Sequence, residues 1–134
     1  VNGLTQEQIL AALDRYEVET REVAVPELGG KVLVREMPGN LRNRLEATYA
    51  TIRNGGDSKA LDKVTAQIIS TCVVDEGGKP YVTMDVAQRI VAKAQKAAFR
   101  IRDAVLELSA TDEDDVEALA EVFDEGPNGP STSA

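Results

Sequence analysis

Val73-Val74-Asp75-Glu76-Gly77-Gly78-Lys79-Pro80-Tyr81-Val82-Thr83-Met84-Asp85-Val86 joins two helix-patterned halves of a 134-residue chain. Cys72, Val73 and Val74 close an apolar run. From Asp75 to Pro80 the backbone must leave the helix. Gly77 and Gly78 can take positive φ without a Cβ clash, and Pro80 cannot continue a helix. Tyr81 and Val82 are apolar again and are expected to pin the turn to a core. Thr83 suits an N-cap, with Asp85 in the next first turn facing the positive end of the helix dipole. Read for composition alone, the stretch is a helix–loop–helix connector with no chemistry in it.

Upstream, Ser58 can cap a helix whose buried face is Leu61, Val64, Ile68 and Cys72, widened by Ile69 and Val73; it is expected to be the most buried helix. Before it, Met37-Pro38-Gly39-Asn40 starts a helix with the stripe Leu41, Leu45, Thr48 and Ile52, and Pro38 fits a first-turn position. Asn54-Gly55-Gly56-Asp57 ends that helix. Arg21–Val25 and Lys31–Glu36 are short and rich in β-branched residues, with Pro26-Glu27-Leu28-Gly29-Gly30 between them. They predict an antiparallel hairpin over 21–36, with Val23 and Val25 on one face and Val32 and Val34 likewise. A lone hairpin is unstable, so one face must pack on helices or on a strand of another chain. Thr5-Gln6-Glu7-Gln8 is a capping-box pattern opening a helix from Gln6 to Glu17, with Ile9, Leu10, Leu13 and Tyr16 on one face.

Downstream, Met84 to Val91 and Lys93 to Leu108 both read as helices, and the pattern leaves open whether they are continuous. Ala94, Ala97, Ala98, Ile101, Val105 and Leu108 should face inward. Thr111 is placed to cap a last helix, with Asp112 to Asp115 in its first turns and Val116, Leu119, Ala120 and Phe123 at i, i+3, i+4 and i+7. The segment 126–134, rich in Gly, Pro and Ser, reads as a flexible tail. The fold class expected is mainly α with a small β-hairpin, in a single domain over 1–125 of about five to six helices.

Composition narrows the function. The chain is 43% apolar, enough for a real if small core, and has no His or Trp. A catalytic or metal-binding His is therefore excluded. The single Cys72 lies in an apolar run and reads as a small buried hydrophobe, with no His to activate it. No stretch nears the ~18 apolar residues of a membrane span and no signal peptide is visible, so a cytoplasmic protein is expected. The net charge of −8 is concentrated: from Glu107 to Glu125 there are nine acids and no base, while the rest is near neutral. Nucleic acid is an unexpected partner, since it needs a concentrated basic face. The acidic run reads as a solvated helix start, or alternatively as a docking face for a basic partner.

Motif tests are mostly negative. Gly30-Lys31-Val32 and Gly78-Lys79-Pro80 echo the end of a P-loop but lack the upstream Gly and the following Ser/Thr. Asp112 to Asp115 lack the mid-loop Gly and the twelfth-position Glu of a calcium loop. No carboxylate pair sits where the sequence would bury it. The residues point to a binding or assembly factor, with no catalytic residues, cofactor or metal expected.

Three stretches in order resemble tail assembly chaperones of long-tailed, siphovirus-type bacteriophages. Val25-Pro26-Glu27-Leu28-Gly29-Gly30-Lys31-Val32-Leu33-Val34-Arg35 is similar to their "VPEWGG-x-V-x-VR" hairpin. Val74 to Val82 is similar to their "V-DE-x-GKP-LF" loop, and Leu106 to Glu117 to the "LSGLT-x-EDVEE" lead-in of the last helix. The resemblance spans roughly Glu22 to Phe123. It departs at Leu28, where Trp is frequent, at Pro38, where a Thr cap is usual, and at Tyr81-Val82, which replace Leu-Phe.

The resemblance implies a non-catalytic chaperone that binds the long, helical, aggregation-prone tape measure protein in the host cytoplasm. It implies displacement as tail tube protein is added, absence from the mature virion, and a longer form of the chain made by ribosomal frameshifting. Leu28, Val34, Met37, Leu119 and Phe123 are the candidate partner-binding residues; the alternative is that these five fill the domain's own core. Homo-oligomerisation through the hairpin edge is a further expectation. A different reading is a small acidic regulator that binds a basic host protein through the Glu107–Glu125 region. Its binding should weaken steeply with salt.

Overall fold

The computed structural model describes residues 3–55 and 59–110. The connector at the centre of the chain is built as its sequence requires. The Asp75 side chain accepts hydrogen bonds from the backbone N–H of Gly77 and of Lys79, each at 2.9 Å. The Asp75 N–H donates to the Lys79 carbonyl, and Gly78 takes φ +82°. One carboxylate thus replaces the backbone partners that a tight reversal leaves unpaired. Val82 packs against the core, whereas Tyr81 stands in solvent and pins nothing.

Five helices and three strands are present among the described residues, in the order α1 (Gln6–Arg15), β1 (Thr20–Val25), β2 (Gly30–Arg35), α2 (Gly39–Arg53), α3 (Lys59–Cys72), β3 (Val73–Val74), α4 (Met84–Lys93) and α5 (Gln95–Ser109). The fold is mainly helical with a small antiparallel sheet, as expected. β1 and β2 pair with Val23 opposite Val32 and Arg21 opposite Val34. Pro26–Leu28 forms one 3-10 turn between them, closed by Gly29 at φ +79°. That angle costs Gly nothing and strains any residue with a Cβ.

The third strand is an addition to the expected hairpin. Val73 and Val74 do not extend α3 but pair antiparallel with Val34 and Leu33. β2 thereby becomes the central strand, in the order β1-β2-β3. β-branched side chains favour this extended state, and the reversal at Asp75 returns the chain to a bridge between Val74 and Pro80.

One sheet face, carrying Val25, Val34 and Val73, closes over the core formed with α2 to α5. Leu45, Ile68, Ile69, Ile101 and Val105 are its largest fully buried side chains besides the sheet valines. Cys72 belongs to the same cluster, and burial pushes its thiol up to about 12, against an opposing pull from Arg35. α4 and α5 are not continuous. The break is Ala94, at φ −125° and ψ 60°, whose N–H still reaches the Ile90 carbonyl. Thr83 caps α4 through the Val86 N–H, as expected. Pro38 is the N-cap of α2 rather than a first-turn residue, and it offers no side-chain acceptor there. Ser58, Thr111 and the last helix and tail expected from the sequence lie outside the described residues.

Candidate protein-binding surface

α1 has good local reasons to form. Thr5 and Gln8 make a reciprocal capping box, the Gln8 N–H donating to Thr5 Oγ1 at 3.2 Å and the Thr5 N–H to Gln8 Oε1 at 2.9 Å. The helix ends two residues short of the expected Glu17, at Arg15. A free helix this short is marginal in water, because nucleation costs more than a few hydrogen bonds return. Helices of this length normally persist by burying a face.

Here the face is not buried. No α1 residue is buried among the described residues, and Ile9, Leu10 and Leu13 are 45%, 53% and 62% exposed. Tyr16 and Val18 continue the exposed apolar surface past the helix end. Among the described residues the core forms without α1, its members coming from the sheet, Met37 and α2 to α5. Fully burying an aliphatic side chain of this size is worth ~1.5–3 kcal/mol, so the stripe is a large unused source of binding energy.

The C-terminal end of α1 is fastened to the body. The Tyr16 hydroxyl donates to Glu36 Oε1 at 2.5 Å, and the Glu36 N–H donates to the Glu19 carbonyl at 3.0 Å. The hydrogen bond to Glu36, then the carboxylate's charge, raise the Tyr16 pKa above its usual value. Neutral Tyr16 therefore holds this contact up to and beyond its ordinary range, and the contact is lost only as pH rises through the raised value. A pocket of ≈ 300 Å³ opens here, lined by Tyr16, Val18, Arg35, Glu36, Met37 and Pro38. Its floor is tied to the end of α5, because the Met37 N–H donates to Ser109 Oγ at 2.8 Å.

The structure divides the residues singled out in the sequence. Leu28 is exposed, on the 3-10 turn of the hairpin. Val34 is fully buried and Met37 nearly so; both are core members, and neither offers a surface to a partner. Their places follow from the register: Val34 lies on the inward sheet face beside Val73, and Met37 continues from the same strand onto α5. Leu119 and Phe123 lie outside the described residues. The α1 stripe, absent from the candidate set, is the larger exposed apolar surface. Its periodicity is plain in the sequence, but a period does not say whether a face is covered by its own domain.

The hairpin turn that carries Leu28 is itself anchored. Arg100 Nε lies 2.9 Å from both carboxylate oxygens of Glu27. A bond from Glu27's own backbone N–H, then Arg100, holds that carboxyl below its usual range. The anchor is thus present above the ordinary carboxylate range and is lost as pH falls through the lowered value. Elsewhere, a groove of ≈ 510 Å³ between α3, α4 and the start of α5 is lined by Lys59, Asp62, Lys63, Gln88, Val91, Ala92 and Gln95, a mixed and mostly polar set. Among the described residues no three His, Cys, Asp or Glu side chains are grouped to hold a metal ion. No helix among them is long and apolar enough to cross a membrane.

Comparison with protein families, with curated proteins and with solved structures finds no match for this chain.

Proposed function

We propose that this chain is a non-catalytic tail assembly chaperone of a siphovirus-type bacteriophage, which binds the tape measure protein and keeps it soluble. The observation that carries the reading is the exposed stripe Ile9, Leu10, Leu13 and Tyr16 on a helix that packs into no core. A long helical client exposes apolar stripes of its own before the tube encloses it. An amphipathic helix fastened at one end can cover such a stripe helix against helix. One short helix gives modest affinity, which suits a protein that must come off as tail tube protein arrives. Many copies along one client supply the avidity. In line with the resemblance, the chaperone acts in the host cytoplasm, leaves before the virion is complete, and works beside a frameshifted longer form. The outer edge of β1 pairs with no strand among the described residues and is the natural contact for a homo-oligomer.

The test is co-expression with the tape measure protein, followed by size-exclusion chromatography at low and at high salt. Apolar coating predicts a soluble client that co-elutes with this chain at both. A client that stays insoluble would refute the proposal. Co-elution lost at high salt would favour the acidic-regulator reading, because exposed ion pairs are screened.

A further inference from the structure

Large apolar side chains reach the surface of this chain unevenly. Ile9, Leu10, Leu13, Tyr16 and Val18, all between 41% and 62% exposed, follow one another along α1 and just beyond it. At those fractions they leave roughly 500 Å² of apolar surface in water, in the upper part of the range that monomeric proteins show. Among the described residues, the large exposed apolar side chains after Val18 are Leu28, Tyr81 and Val86. They stand one each on the 3-10 turn, the central connector and α4, and build no second stripe. None of the four side chains of the α1 stripe is charged, so another uncharged stripe covers it without burying an ion from it. The stripe is also held in place before it meets anything. The Tyr16 hydroxyl donates to Glu36 and the Glu36 N–H to the Glu19 carbonyl, which lowers the ordering cost of an association.

We propose that two copies of this chain join through their α1 stripes, each stripe covering the other in an isologous dimer. A head-to-tail contact would need a second apolar patch of similar size elsewhere on the chain, and the described residues offer none. The association therefore closes at two. Two such patches bury about 1,000 Å² together, the lower bound of a specific interface and the size of readily reversible ones. Reversibility gives the dimer a role: it covers the binding surface at rest and opens when the stripe of a client competes for α1. That role rests on the chaperone reading, whereas the dimer itself does not. Its test contains no client, so its failure and a failure of co-expression are separate results.

The test is sedimentation equilibrium of the full chain over a dilution series, comparing the wild type with Leu10→Asp/Leu13→Asp and with Ala11→Asp on the opposite face. The expected result is a reversible monomer–dimer equilibrium in the wild type and in Ala11→Asp. In the stripe variant its midpoint concentration rises about a hundredfold or more, because each copy would then bury unpaired carboxylates. A wild type that stays monomeric up to about 1 mM would overturn the proposal. So would species that grow beyond two copies, or a dimer whose midpoint the stripe variant leaves unchanged, which would move the contact to another surface such as the β1 edge. A second measurement covers the case in which the stripe variant unfolds. Leu10→Cys, treated with a flexible bismaleimide, should give a covalent dimer in high yield, and Arg89→Cys at the same concentration should give little. Cys72, buried and with its thiol pushed up to about 12, does not compete for the reagent. Equal yields from the two positions would overturn the assignment.

Discussion

Replacing Leu10 and Leu13 together by Asp is expected to abolish capture of the tape measure protein while leaving the body folded. Both side chains are more than half exposed, so their removal opens no cavity. Each is already partly covered, so completing their burial on binding supplies about 2–3 kcal/mol for the pair, and its loss weakens each contact by about 30- to 150-fold. A multivalent client multiplies that loss along its length. The helix itself loses only a few tenths of a kcal/mol per residue in propensity. Ala11→Asp, on the opposite face of the same helix, adds charge without touching the stripe and is expected to keep the client soluble. The measurement is the soluble fraction of co-expressed client, with the unfolding transition of each variant as the check on folding. Equal solubility with the stripe variant and the control would remove α1 from the mechanism.

Ile68→Ala is expected to have the opposite profile, with a large loss of stability and no specific change in the binding surface. Ile68 is fully buried in α3, which packs against α2, α4 and α5. Removing three carbons leaves a cavity that surrounding helices close only partly, at about 3 kcal/mol within a usual range of 2–5. For a chain of this size that lowers Tm by about 10 °C. Urea unfolding should show a lower midpoint with an unchanged slope. Tyr81→Ala, at a side chain that is 58% exposed, should change stability by no more than about 0.5 kcal/mol. A small effect at Ile68 would mean that the helices do not meet as described.

The features legible in the sequence are those set by local chemistry. The Thr5–Gln8 capping box, the Thr83 cap and the reversal at Asp75 are all realised by the side chains that signalled them. So is the face Val64, Ile68 and Cys72, because a helical period with β-branched and aliphatic residues leaves few other ways to bury it. What depends on tertiary pairing was not legible. Val73 and Val74 continue an apolar run and read as helix end; only the proximity of β2 makes them a strand. Val34 and Met37 look like any apolar residues near a turn, and their burial follows from which sheet face meets the core. The break at Ala94 has no Pro or Gly to announce it. The α1 stripe is the clearest case. Its spacing calls for a partner, and the sequence does not say whether that partner is the domain, a second copy or another protein.

The most direct measurement of the central claim is site-specific photocross-linking from α1 to the client. A photoreactive residue placed at Leu13 of the full chain, co-expressed with the tape measure protein, should give a covalent chaperone–client product. The same residue at Arg89, on the exposed side of α4, should give little. That pattern would place the α1 stripe on the client. Equal yields from both positions, or a product from Arg89 alone, would contradict it.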